Sequence, residues 1–366
     1  MTHKTQNNLY ISDILTQPQA LLSALSRFDP QPLHPLAQAL RGGDFDRLLL
    51  TGMGASLYGS YPAWLHLTRL GLPALWVDAS ELVHYAPALI TPRTLVWVVS
   101  QSGRSAEIVA LLELLRQSPP AALLATANDL DSPLARAAGT LNLFSALLPI
   151  DAAPEATVST RTYLNTLALT QLAALYLCGE SLAGHLDDLR ETAQALADYL
   201  EKWDENLRHI TRAVGLPQHL VLLGRGSSMA SALTGALIQG EAAKMPALGL
   251  PAGEFRHGPL EMCGLDVTIL LFAGPPETRQ LNYELLQELG KCQVKAFWVA
   301  PPSPGEDAGG EGRIPPSQSL LTPSWRGIGL PLAEILPMQL LTISLCRQRG
   351  VEPGEFYFIG KVTTKE

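Results

Sequence analysis

Cysteine is scarce in this chain: four residues in 366, Cys178, Cys263, Cys292 and Cys346, with no CxxC pair among them. That scatter argues against a disulfide framework and implies reduced thiols in a cytoplasmic setting. Charge is sparse too, at 16% of residues, with a net charge of -8 and no segment where Lys and Arg cluster. Broad nucleic-acid binding is excluded on that balance. A phosphorylated metabolite is not, because a local nest of N–H groups outweighs a distant field. The opening residues, MTHKTQNNLYISDILTQP, lack the basic-then-apolar layout of a signal peptide. The longest apolar runs are interrupted by Gly, Pro or charge, so no membrane segment is expected. The histidines form no close pair at metal-ligand spacing, so no metal is expected either.

With 47% hydrophobic residues, the chain has enough apolar material for two domains of ordinary size. Short apolar runs alternate with helical stretches, the signature of a parallel sheet wrapped by helices. Residues 47–51, 74–77, 95–99, 122–126 and 140–145 read as strands, with helices in AEIVALLELLRQ and RTYLNTLALTQLAALYL. A polar helical stretch after residue 180, DDLRETAQALADYLEKWDENLRHI, reads as a connector. Then the pattern restarts. HLVLLGRGSS echoes RLLLTGMGAS, with Gly224 172 residues after Gly52, and EFRH at 254–257 echoes ELVH at 81–84. Two features at nearly one offset imply a duplicated α/β unit. Residues 267–273 and 294–300 supply later strands of the second unit, and the Pro- and Gly-rich tract 301–319 reads as a surface loop.

Both repeats open with a strand and Gly-x-Gly, at Gly52/Gly54 and Gly224/Gly226. A dinucleotide fingerprint requires a third glycine, but Leu57 and Met229 stand there. Serines follow instead, Ser56 in one turn and Ser227-Ser228 in the other. The strand-to-helix turn 100–105 is crowded with Ser100, Gln101, Ser102, Gly103 and Ser105. A helix cap needs one hydroxyl, and this turn offers three and an amide, which favours a terminal phosphate at a helix N-terminus.

TGMGAS, VSQSGRSAEIV, TVSTRTY, LLGRGSS, GEAAKMPALGLPAGEFRHGP and the closing KVT together resemble the tandem sugar-isomerase (SIS) domain family. That family includes the isomerase half of glucosamine-6-phosphate synthase, amino-sugar phosphate deaminases and fructosamine phosphate deglycases. The resemblance runs from about residue 45 onward and implies two tandem flavodoxin-like α/β domains. It implies that Ser56, Ser100, Gln101, Ser102 and Ser105 hold a sugar phosphate. Gly54, Ala55, Val158, Ser159 and Thr160 contact the substrate on the same grounds, with Glu155 at the head of the E…V…ST stretch. Glu241 matches the enolisation base, a carboxylate that moves a proton between C1 and C2. His257 matches the ring-opening histidine, which in the family is lent by a neighbouring subunit and so implies a homodimer or a higher oligomer. Lys361 lies one residue from the family's tail lysine, after Gly360, and two further synthase lysines are replaced by Ile238 and Gly240. Arg104 stands where relatives often carry an acid.

The chain opens with a short polar arm and has no early cysteine nucleophile, so glutamine-derived ammonia is not expected and the chemistry turns toward breakdown. The expected activity opens, enolises and deaminates an amino-sugar 6-phosphate, with the nitrogen free or carrying an amino acid. No cofactor is implied. An aldose–ketose phosphate isomerase without amine release and a non-catalytic sugar-phosphate sensor stay open beside it. The expected organisation is an arm at 1–45, SIS domains at 46–180 and 216–348, a connector at 181–215, and a tail at 349–366 over the active site. Trp64, Trp76, Trp97 and Trp298 read as packing residues, and His84 as a structural histidine.

Overall fold

A computed structural model describes residues 8–140, 144–155, 158–264, 266–302, 314–358 and 360–363. Asn8 caps α1 (Leu9–Leu15), its side chain accepting the Ile11 N–H at 3.0 Å. Helices α2 (Gln17–Arg27) and α3 (His34–Gly42) lead to β1 (Arg47–Gly52). There follow α4 (Gly54–Gly59), α5 (Tyr61–Arg69), β2 (Ala74–Asp78), α6 (Ala79–His84), β3 (Thr94–Ser100) and α7 (Ala106–Gln117). Strand β4 (Ala122–Ala127), α8 (Pro133–Thr140) and β5 (Phe144–Pro149) complete the first sheet. Three helices come next: α9 (Arg161–Leu177), α10 (Ala183–Glu201) and α11 (Trp203–Val214). The second sheet then runs through β6 (His219–Gly224), α12 (Ser228–Ala243), β7 (Ala247–Pro251), α13 (Ala252–Phe255), β8 (Val267–Phe272), α14 (Pro276–Lys291), β9 (Lys295–Ala300) and β10 (Ser319–Leu321). Helix α15 (Leu330–Arg349) closes the regular structure.

Every strand pair is parallel. The orders are β2-β1-β3-β4-β5 and β7-β6-β8-β9-β10, the flavodoxin-like 2-1-3-4-5 permutation used twice. The echo between ELVH and EFRH thus has a structural basis, since each lies at the short helix after the second strand of its sheet. Strands β3, β4 and β8 are buried along their whole length, which is why they read as unbroken apolar runs. Leu49, Val96, Val98 and Leu123 meet Ile108, Leu111 and Leu115 of α7 in one core. Val221, Ile269 and Leu271 meet Phe255, Leu285 and Leu289 in the other.

The chain divides into two compact units. Among the described residues, one comprises Gln19–Pro154, Arg161–Asp187 and the chain from Tyr357 onward; the other takes the rest, so the division falls inside α10. Trp97 is fully buried and donates its indole N–H to Thr126 at 2.9 Å. Trp64 and Trp76 stack with Tyr61, and Trp298 packs edge-on to Tyr283. His84 is exposed beside Tyr85.

Three expectations need correction. The run 140–145 is not one strand: Thr140 ends α8, residues 141–143 lie outside the described set, and β5 starts at Phe144. Residues 303–313 of the expected loop are likewise outside it, and its last residue, Ser319, begins β10. Helix 327–349 is long and apolar enough to span a membrane despite its prolines and Glu334, and 94% of its apolar window is buried within the structure. It packs on α11 and α12 as a core helix.

Candidate active site

The serine turns lie at the carboxyl edge of the first sheet, where open α/β sheets bind ligands. Gly52 ends β1 so close to β3 that a Cβ there would sit 2.4 Å from the Val99 carbonyl oxygen. Ser56, in the first turn of α4, accepts the Gln101 N–H at 3.2 Å. Ser100 accepts the Gly103 N–H at 3.1 Å, and Ser102 accepts the Arg104 N–H at 3.2 Å. A hydroxyl oxygen that accepts from an amide keeps its own O–H to donate. Three serine donors are therefore held in place by backbone. Gly103 makes the turn possible: its φ is +60°, and a Cβ would lie 2.3 Å from the buried Ser132 hydroxyl.

Ser105 occupies the N-cap of α7 in extended geometry, yet its side chain makes no capping bond. Its hydroxyl is buried and has no partner among the described residues. An orphan hydroxyl of that kind costs on the order of 1–3 kcal/mol, so the simple cap expected of a serine before a helix is not what the residue does. The Ala106 N–H donates to the carbonyl of Thr363 at 3.0 Å, so the C-terminal segment meets the start of α7. Lys361, half-buried, stands two residues earlier in that segment. Gly54 and Ala55 form the start of α4 and are half-buried. Arg104 pairs with Asp129 at 2.7 Å, and that hydrogen bond holds the Asp129 carboxyl below its usual range.

The remaining candidates belong to the other unit. Glu241 sits in the last turn of α12, whose inner positions are apolar or small. Burial pushes its carboxyl up to about 7, and the nearby Lys244 ammonium moderates the rise. No hydrogen bond or ion pair engages its carboxylate among the described residues. His257 follows α13, exposed, with its backbone N–H bonded to the Glu254 carbonyl at 2.8 Å. Neither does any hydrogen bond join it to Glu241. The buried Glu155 carboxylate accepts from both the N–H and the hydroxyl of Thr160, at 3.1 and 3.2 Å. Val158 and Thr160 are buried in this loop, and Ser159 is half-exposed. Ile238 is buried and Gly240 exposed.

Sequence reasoning passed over three residues. Glu107, in the first turn of α7, has a buried carboxylate oxygen without a partner. Glu334 of α15 is 1% exposed, accepts the Ser228 hydroxyl at 2.8 Å, and is pushed up to about 8 by burial. Lys244 caps α12 in a left-handed conformation. Each reads in sequence as an ordinary helix charge.

The SIS domain model matches residues 44–176 and 217–296. A glutamine–fructose-6-phosphate aminotransferase (isomerizing) of Thermococcus kodakarensis is 26% identical over 97% of this chain and 58% of its own length. The chain thus spans a little over half of that curated relative. Among solved structures, the C-terminal domain of glucosamine-fructose-6-phosphate aminotransferase from Francisella tularensis superposes with a TM-score of 0.82 at 19% identity, covering 97% of this chain and 99% of that one. A tagatose-6-phosphate ketose/aldose isomerase from Escherichia coli superposes at 0.78 and 22% identity, covering 96% of each. These likenesses concern the fold.

Proposed function

The chain belongs to the SIS domain family, and from that premise we propose that it is a phosphosugar enzyme that enolises and deaminates an amino-sugar 6-phosphate. The observation that carries the reading is the Glu241 carboxyl. Among the described residues no hydrogen bond or ion pair engages it; it is half-buried and poised at about 7, where a carboxylate both accepts and returns a proton near neutral pH.

On this reading Ser56, Ser100, Gln101, Ser102 and Ser105 hold the phosphate, and Gly54, Ala55, Val158, Ser159 and Thr160 line the sugar. His257, serving the site of a second copy in a homodimer, moves a proton between the ring oxygen and the anomeric hydroxyl. Glu241 then takes the proton from one of C1 and C2 and delivers it to the other. With nitrogen on C2, the product is a C2 imine, which water hydrolyses to a ketose 6-phosphate and ammonia. With an amino acid on C1, the proton travels the opposite way. The C1 imine then yields an aldose 6-phosphate and the free amino acid. Lys361 on the tail supplies a cation beside the sugar.

The test is a coupled assay for fructose 6-phosphate, glucose 6-phosphate and free amine. Glucosamine 6-phosphate, amino-acid-glycated hexose 6-phosphates and fructose 6-phosphate are offered to wild type and to Glu241→Gln. Amine release from one substrate, lost in the variant, is the expected result. Hexose phosphate interconversion without amine overturns deamination in favour of simple isomerisation. Saturable binding with no turnover of any substrate points to a sensor.

A further inference from the structure

Helix α12 ends on an unusual residue. Lys244 adopts φ 55° and ψ 33°, a left-handed conformation that glycine takes freely and that an L-residue with a Cβ disfavours. Its backbone N–H closes the helix on the Gln239 carbonyl, a task any residue performs. The side chain does more. Its ammonium donates to the carbonyl of Glu241, one turn back, and to the carbonyl of Glu355, 111 residues on. The same ammonium lies 6.0 Å from the centre of the Phe356 ring. The Arg349 guanidinium fastens the Lys244 carbonyl at 3.1 Å, and Asn8 holds Glu352 and the Pro353 carbonyl. Lysine and tail root are therefore gripped from several sides.

We propose that Lys244 is a positioning residue of the active site, tying the end of α12 that carries Glu241 to the root of the C-terminal tail and keeping one positive charge beside the carboxylate. The inference rests on the assignment of Glu241 as the base. Other groups face this corner: Tyr10 from α1, Cys346 and Arg349 from α15, and Glu352 and Glu355 beyond it. Tyr10 and Cys346 stay neutral near pH 7, since burial raises the phenol and pushes the thiol up to about 12. Lys244 is the group whose charge lowers the Glu241 carboxyl. The tail beyond Phe356 carries Lys361 and ends, among described residues, at Thr363 on the start of α7.

The experiment needs no substrate, so its outcome is separate from that of the proposed activity. Carboxyl carbon resonances are titrated by NMR in the ligand-free protein, with the Glu241 signal assigned by its loss in Glu241→Gln. Hydrogen exchange is followed at the Glu355 amide of the tail root, which donates to the Glu352 carbonyl at 3.2 Å. Lys244→Met is expected to raise the Glu241 midpoint by about half a unit or more, the scale of one nearby charge in a mostly aqueous setting. Lys244→Gly raises it equally while relieving the backbone, which separates charge from folding. Lys244→Arg restores the midpoint. The Glu355 amide exchanges several-fold faster in the Met and Gly variants and regains protection with Arg. An unmoved midpoint in both Met and Gly variants overturns the electrostatic role, and Glu355 exchange equal to wild type overturns the tether.

Discussion

If Glu241 is the base, its ionisation sets the acid side of the pH–rate profile. With the carboxyl at about 7, roughly one site in eleven is ionised at pH 6 and about ten in eleven at pH 8. Enolisation therefore rises about tenfold across that interval. An ordinary surface glutamate near 4.5 gives a flat profile there. The assay is deuterium uptake in D2O, at C1 of fructose 6-phosphate and at C2 of any aldose 6-phosphate formed, by proton NMR, which reads proton transfer whether or not an amine leaves. Glu241→Gln keeps the shape and removes the base, for an expected loss on the order of 10²–10⁴. Glu241→Asp keeps the carboxylate and withdraws it by one methylene, which should slow exchange and move the acid limb. The substrate phosphate also titrates near pH 6, so a limb that stays put in the aspartate variant belongs to the phosphate. A profile flat from pH 5.5 to 9, or Glu241→Gln exchanging as fast as wild type, refutes the assignment.

Glu334 gives a stability prediction of definite sign. Its folded carboxyl, at about 8, holds a proton between pH 4.5 and 8 that the unfolded chain has released, so stability falls as pH rises through that window. Glu334→Gln removes this slope: urea midpoints of the two proteins should be close near pH 5, with the variant ahead by on the order of 2–4 kcal/mol at pH 9. Gly103→Ala should cost about 2–4 kcal/mol, since it adds a Cβ at positive φ against the buried Ser132. The control is Gly290→Ala at an exposed position of α14, where a Cβ meets nothing within 4 Å; it should be neutral or stabilising by up to about 1 kcal/mol. Thermal melts of the pair check both.

How much of this was readable in the chain depended on whether the cause was local. Strands buried on both faces carry the signal in their own composition, and the runs at β1, β3, β4 and β8 appear as near-continuous Leu and Val. Strand β7, ALGLP, is partly exposed and broken by Gly and Pro, so it lacks both periodicity and length. At 140–145 an alternating TLNLFS imitates a strand, while Thr140 in fact follows the helical register of PLARAAGT. The serine turn was legible because its hydroxyls crowd into six consecutive residues, 100–105. Glu241 was legible through the resemblance of its motif, and its burial among the small and apolar residues of α12 is what raises its carboxyl.

Lys244 gave no such sign. A lysine at a helix C-terminus is the ordinary complement of the helix dipole, and the contacts that hold it come from residues 349 and 355. The same holds for Glu334, whose Ser228 partner is 106 positions away. Those distant contacts separate binding from tuning. The groups that would bind the phosphate are specified by short runs, while the contacts that hold Lys244 beside Glu241 come from residues more than a hundred positions on. Substrate class and reaction type should therefore follow the motifs. If Glu241 is the base, the pH at which it works should follow the packing of α12 against α15 and the tail root.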